Sequence, residues 1–312
     1  MTQLGTGFPG NELPTDNTEG GERQASRTLC WISQGAASVM AAKLELSVNR
    51  DAILIRCETS NEDEDNARFE ADVVRWLSAS VTVIKSSDFD SVVDVWEKRR
   101  FMAGHHGAPC TTEMKIVPRL EFQKPDDVHV FGYTADAPDV KRFKRLRDNF
   151  PELTVRAPLI ERGITKSSAM AMLWRAGITP PRTYAMGFPN ANCLQTGCVK
   201  ATSPDYWSLF RLRFPERFHM MAERSRRIGA RLARINDERI FIDEIPADWP
   251  VLNPEVPVCD FLCALAEQDI SEAACPAAPP IPWKTKDPSR KISTPSKRSR
   301  QSPALNAGTG RT

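Results

Sequence analysis

The sequence predicts an α/β fold: a doubly wound, mostly parallel five-stranded sheet of Rossmann-like type, followed by a helical, cysteine-containing C-terminal region. Three observations predict it. Short β-branched apolar runs alternate with helical patterns over the first 180 residues. Those runs are near-continuously apolar, as strands covered on both faces of a parallel sheet must be. Beyond residue 159 the alternation stops, and helices and a Gly/Pro/Asn/Cys-rich loop replace it.

The strands fall at residues 28–32, 52–56, 81–84, 128–131 and 153–155. Between the first two, residues 37–46 are almost wholly Ala, Met, Leu and Val, with Lys43 and Glu45 as polar breaks. Residues 66–77 repeat Phe69, Val73, Trp76 and Leu77 at helical spacing. Helices at 91–100 and 139–149 follow, the second strongly basic. A helix at 166–175 ends at Gly177, and Pro180-Pro181 stops it. A loop runs from 186 to 200, then helices at 203–213 and 215–235 join at Pro215, a residue suited to a first helical turn. Residues 239–242 read as a short strand. Right-handed β-α-β units of this kind place ligand sites at the carboxyl ends of the strands.

This order divides the chain into a polar, disordered segment (1–26), an α/β domain (27–180), a mainly helical region with cysteines (181–265) and a disordered Pro/Ser-rich tail (266–312). From residue 276 onward the tail carries eight Lys/Arg against one acid, so a formal net charge of +2 hides a basic tail on an acidic body. A solubilising extension is the simplest reading, and electrostatic contact with nucleic acid is the sharper one. Hydrophobic residues make up 41% of the chain, enough to bury a core. No apolar stretch approaches the roughly 20 residues a membrane-spanning helix needs, and residues 1–27 lack the apolar centre of a secretion signal. The expectation is a cytoplasmic protein with no membrane partner. In that reducing setting the eight cysteines read as buried thiols, metal ligands or redox groups, not as a disulfide framework.

One segment leads from the first strand into the first helix through small residues: Cys30-Trp-Ile-Ser33-Gln34-Gly35-Ala36-Ala37-Ser38. Backbone N–H groups at such a turn can wrap an anion, Gly35 permits close approach, and Ser33 and Ser38 offer hydroxyl donors. Ser33-Gln34-Gly35-Ala36-Ala37-Ser38 resembles the Ser-Gly-Gly-x-Asp-Ser loop of the PP-loop ATP pyrophosphatases and phosphoadenosine phosphosulfate reductases, the adenine nucleotide alpha hydrolase-like superfamily. Two positions depart from it, Gln34 for glycine and Ala37 for the acid. In ATP-cleaving members that acid helps manage pyrophosphate and magnesium. The resemblance therefore implies nucleotide binding without ATP-driven adenylation, as in phage and prophage members that also lack the acid. Gly132-Tyr-Thr-Ala-Asp136 is similar to the family region that frames the nucleotide, and Asp136 also reads as a helix N-cap.

The run Ala108-Pro-Cys110-Thr-Thr-Glu-Met-Lys115 resembles the family's Cys-x4-Lys element. The resemblance implies Cys110 at the cleft mouth and Lys115 as a point charge on phosphate, with Arg99 and Arg100 as possible helpers. Asn190-Ala-Asn-Cys193-Leu-Gln-Thr-Gly-Cys198-Val-Lys200-Ala, followed by Phe214-Pro-Glu-Arg217, is similar to elements of phage-type members, and Cys259-Asp-Phe-Leu-Cys263 to a closing element of the group. The likeness spans roughly residues 27 to 265. Soft thiolates favour zinc or iron–sulfur clusters. Cys110, Cys193 and Cys198, with Cys259 as a fourth, are the candidate ligands of a 4Fe-4S cluster or zinc; reduced thiols packed in a loop are the alternative. The Glu-Cys-Gly-x-His element of sulfonucleotide reductases does not occur in the chain.

The resemblance implies an adenine nucleotide or sulfonucleotide as ligand, sulfur reduction or transfer as chemistry, and a thiol electron donor or sulfur donor as partner. Two alternatives stand beside it: an iron–sulfur-dependent sulfurtransferase acting on tRNA or DNA, and a nucleotide-binding or sensing module without turnover. His105-His106 and the acidic run 58–65 read as loops, the latter solvated. The Arg-rich helix from Arg217 to Arg234 spreads its charge around too wide an arc for one clean stripe.

Overall fold

The structure, a computed structural model, describes residues 26–104, 107–191 and 193–254. Cys259, Cys263, Cys275, His105-His106, the basic tail and nearly all of the N-terminal segment lie outside the described residues. The central sheet has five strands, all parallel, in the order β3-β2-β1-β4-β5. The expected fold class is the one observed.

β1 (Thr28–Trp31) leads into α1 (Ala36–Leu46), then β2 (Ile53–Cys57), α2 (Asp65–Leu77), β3 (Val81–Ile84) and α3 (Val92–Arg99). Helix α4 (Pro109–Thr111) widens into a π-helical turn (Thr112–Ile116) and continues as α5 (Val117–Phe122). β4 (Val128–Val130), α6 (Ala137–Asn149), β5 (Thr154–Arg156), α7 (Pro158–Glu161), α8 (Lys166–Arg175) and α9 (Arg182–Ala185) follow. The C-terminal region holds α10 (Pro204–Arg213), α11 (Pro215–Ile228) and an antiparallel hairpin of β6 (Ala233–Ile235) and β7 (Glu238–Ile240).

Because side chains alternate across a strand, β1 feeds two cores. Cys30 and Ile32 pack on one side with Val39, Leu54, Phe69 and Leu159. Leu29 and Trp31 pack on the other with Ile55, Phe131 and Leu146. That double burial explains the unbroken apolar runs of the sequence. A third cluster joins Val92, Trp96 and Met102 to Phe188, Trp207, Phe210 and Met221, so its residues come from both sides of position 180.

Sequence expectation and structure part in four places. The helix expected over 215–235 stops at Ile228, because Gly229 turns left-handed (φ 82°) and its amide bonds back to Arg226. The chain beyond forms the β6–β7 hairpin, whose turn residues Asn236 and Asp237 both take positive φ, the conformation tight hairpins need. The expected strand at 239–242 is correspondingly β7, Glu238–Ile240. Residues 109–122, which carry no helical expectation, are helical throughout, with Pro109 in a first-turn position that needs no N–H and Pro118 just after the π-helical turn.

The fourth concerns the acidic run. Asp63 is buried and accepts Arg182 Nε at 2.7 Å, with Arg217 Nη1 at 3.5 Å. Arg217 also donates to Glu64 and to the Leu194 carbonyl. The loop is therefore a clamp on the C-terminal region. Other arginines of α11 are likewise engaged within the chain: Arg224 and Arg227 pair with Glu97, and Arg226 with Asp243 and Glu244. No helix among the described residues is long and apolar enough to cross a membrane.

Candidate functional site

In a sheet of this order the connections reverse direction between β1 and β4, and a crevice opens at their carboxyl ends. A cavity of about 700 Å³ lies there. Ser33, Gly35, Ala37 and Ser38 line it from the β1–α1 turn, and Gly132 and Thr134 from the end of β4. Gln34 and Ala36 belong to the same turn. The turn that the sequence marks as a candidate anion cradle lines this cavity.

The turn is held from inside. Gln34 adopts a left-handed backbone (φ 56°), a conformation disfavoured for residues with a Cβ. Its side chain is buried and donates to Glu70 at 2.8 Å while accepting from Asn66 at 3.3 Å. Those bonds hold the residue in that conformation. Ser38 staples the turn: its Oγ accepts the Ser33 amide at 3.1 Å and the Ser33 hydroxyl at 3.2 Å, and donates to the Gly35 carbonyl at 3.0 Å. Both serine hydroxyls expected to face a ligand thus bond within the loop. Gly35 is the N-cap of α1. The amides of Ala37 and Ser38 lie in the first turn, where an α-helix offers no intrahelical acceptor and the dipole favours negative charge.

Lys115 reaches the cavity wall from the π-helical turn and is largely buried. Single π-helical turns of this kind are frequent at functional sites. Cys110 goes elsewhere. It opens α4 and packs in the third core cluster with Met114, Cys193 and Cys198, so the structure separates the two members of the Cys-x4-Lys element. The thiol that lines the cavity is that of Cys57, at the end of β2. It donates to the Lys115 carbonyl at 3.7 Å, and burial pushes it up to about 11 against the pull of the Lys115 and Arg119 charges.

Charged groups complete the walls. Arg56, Arg142 and Lys166 line the cavity beside Lys115, facing Glu62, Asp136 and Asp139. Burial lowers Lys166 from its ordinary value, with Asp139 and Asp136 opposing; its ammonium donates to the Pro189 carbonyl at 2.6 Å. Asp136 stands at the N-cap position of α6, yet its side chain makes no cap bond. It accepts the Lys166 amide at 2.8 Å and the Thr134 hydroxyl at 2.8 Å, which hold it below the usual carboxylate range. Trp31 and Phe131 form an aromatic side of the cavity. Their rings flank His129 in near-parallel planes, with centroids 6.0 Å and 6.2 Å away.

The proposed thiolate set does not assemble among the described residues. The Cys193 thiol donates to the Cys198 sulfur; that contact and burial raise it well above its ordinary value. Cys193 itself sits in a left-handed conformation (φ 60°). Among the described residues no group of three or more His, Cys, Asp or Glu is placed to hold a metal ion, and Cys259 lies outside them. Three or four converging thiolates are what a 4Fe-4S cluster or structural zinc requires. Among the described residues the observed contact is between two thiols, Cys193 and Cys198, with Cys110 in the same apolar cluster.

Sequence reasoning passed over Trp31, Arg56, Cys57, Phe131, Arg142, Lys166 and Tyr184. Arg56 and Phe131 close the strands predicted at 52–56 and 128–131, and Trp31 and Cys57 lie within one residue of a predicted strand's carboxyl end, a position that could have marked all four. Arg142, Lys166 and Tyr184 reach the cavity only through tertiary packing.

No protein-family model matches the chain, and no curated protein matches it. Among solved structures, the chain is similar to the crystal structure of a phosphoadenylyl-sulfate (PAPS) reductase from Candida auris in complex with phosphate. The identity is 9%, 55% of this chain and 82% of that chain are covered, and the TM-score is 0.39.

Proposed function

We propose that the chain binds an adenine nucleotide or sulfonucleotide in the cavity between β1 and β4, as a phosphoadenosine phosphosulfate reductase-like protein. One observation carries the reading: a small-residue turn at the head of a buried helix opens into a cavity whose walls hold Lys115 and Lys166 beside Arg56 and Arg142, the two arginines paired with Glu58 and Glu70 and with Asp139. Phosphate sits at the Ser33–Ser38 turn, where the first-turn amides and the helix dipole favour it. Lys115 places a point charge on the same ligand, and the aromatic side at Trp31 and Phe131 accommodates a flat ring. The chemistry in this reading is sulfur reduction or transfer. In reduction an external thiol donor supplies two electrons, its dithiol passing to a disulfide as sulfite leaves the nucleotide.

Calorimetric titration of the full chain with ATP, AMP, adenosine phosphosulfate and phosphoadenosine phosphosulfate tests binding, and thiol-dependent sulfite release tests turnover. Heat with none of the four ligands overturns the proposal.

A second reading, a nucleotide-binding module without turnover, has its own support. Ala37 brings no carboxylate to the cavity, and the cavity thiol, Cys57, is held protonated at neutral pH. Binding without sulfite release selects it.

A further inference from the structure

Resting on the nucleotide reading, the question is which side-chain hydroxyl the turn offers a phosphate. The Ser33 hydroxyl donates to Ser38, and the Ser38 hydroxyl donates to the Gly35 carbonyl, so the proton of each is engaged inside the loop. Tyr184 of α9 stands opposite. It lines the cavity, and its hydroxyl oxygen lies 3.3 Å from the point a Cβ on Gly35 would occupy. That oxygen accepts the Ala36 N–H at the head of α1.

A phenol has one proton and can accept through its lone pairs. With a lone pair taken by Ala36, the proton remains for an acceptor in the cavity. We propose that Tyr184 is the hydroxyl through which the turn meets its ligand's phosphate, making it the residue that distinguishes phosphorylated adenosine from adenosine. The Ala36 amide, the phenol and a phosphate oxygen form a chain of two hydrogen bonds, each polarising the next. Burial raises Tyr184 above its ordinary value, so the donor proton is present throughout the neutral range. Lys115 and Lys166 on the same cavity walls favour the charged phosphate over the neutral nucleoside.

The test is calorimetry of the full chain and its Tyr184→Phe variant with AMP, adenosine phosphosulfate and adenosine. The expected result is weaker binding of both phosphate-bearing ligands by about three- to tenfold, the scale of one hydrogen bond to a charged group, with adenosine binding unchanged. Equal or tighter binding of the phosphates by the variant overturns the inference; tighter binding identifies the hydroxyl as a plug. Equal losses for adenosine and the phosphates overturn it as well, since that pattern reports packing. If neither protein binds any of the three, nor ATP nor phosphoadenosine phosphosulfate, the nucleotide reading falls and this one with it. Fluorine resonances give a measurement independent of how well the variant folds. The chain has three tyrosines, and in 3-fluorotyrosine-labelled wild-type protein the Tyr184 signal is expected to move with AMP and not with adenosine. A signal that stays still with AMP while AMP binds overturns the inference.

Discussion

Gly132 and Ser38 approach so closely that a Cβ on Gly132 would lie 2.5 Å from the Ser38 Cα and 2.6 Å from its amide nitrogen. The obstacle is backbone at the head of a buried helix, which cannot swing aside as a flexible side chain would. Gly132→Ala must therefore push the end of β4 and the first turn of α1 apart. Overpacking of this kind costs about 1–3 kcal/mol. The expected outcome is a lower denaturation midpoint together with loss of nucleotide-induced thermal stabilisation, because the displaced amides belong to the proposed cradle. A variant with wild-type midpoint and wild-type ligand response would show that the two elements are not in contact in solution.

Gln34 separates backbone strain from side-chain bonding. Its left-handed φ opposes the Cβ, while bonds to Glu70 and Asn66 hold the side chain in place. Gln34→Ala and Gln34→Gly both delete those bonds, and only glycine also relieves the strain. The glycine variant is expected to be more stable than the alanine variant by about 1 kcal/mol, read from paired urea titrations. The reverse order would mean that the turn relaxes out of the left-handed region once the side chain is gone.

These two positions mark how far the sequence could be read. The strands were legible because double burial leaves unbroken apolar runs, as at Leu29 to Ile32. The β1–α1 turn was legible because it joins adjacent elements. The first strand of the hairpin, Ala233–Ile235, was not, since residues 215–235 keep a helix-like composition and the break rests on Gly229 alone. Asp63 reads as solvated in an acidic run, and only Arg182 and Arg217, 119 and 154 residues further along, account for its burial. The same holds for the cavity. Cys110 sits in a motif that resembles a cleft element, but the chain turns its thiol into the apolar cluster, and Cys57 takes the place on the wall.

Thiol chemistry follows from that exchange. With Cys57 held near 11, its thiolate at pH 8 is about a hundredfold scarcer than that of a thiol at the ordinary value. Its alkylation by iodoacetamide, mapped by mass spectrometry, is expected to be slow at neutral pH and to rise about tenfold per pH unit up to pH 10. Bound nucleotide should slow it further by filling the cavity. Cys110, Cys193 and Cys198, packed in the third core cluster, should react only as fast as the fold opens. Rapid labelling of Cys57 at pH 7 would contradict the half-buried, protonated state.

The last prediction concerns His129, fully buried between Trp31 and Phe131. The Trp31 indole donates to its Nδ1 at 3.1 Å, so the neutral ring carries its proton on Nε2. Burial, aided by the Arg119 charge, depresses it to about 4, with Asp127 opposing. The unfolded chain binds this proton near pH 6.5 and the folded chain does not. Stability from the neutral ring is therefore complete above pH 6.5 and is lost as pH falls from there toward 4. Full loss amounts to roughly 3 kcal/mol. The depressed carboxylates of Asp65, Asp127 and Asp136 lose their contribution as pH falls through and below the ordinary aspartate range, so the upper part of the window belongs to His129. Urea midpoints measured between pH 7 and 4.5 should fall progressively for the wild type. His129→Asn, which keeps an acceptor for the indole, should start lower and stay nearly flat over the same range; a slope equal to the wild type's would assign the effect to another group.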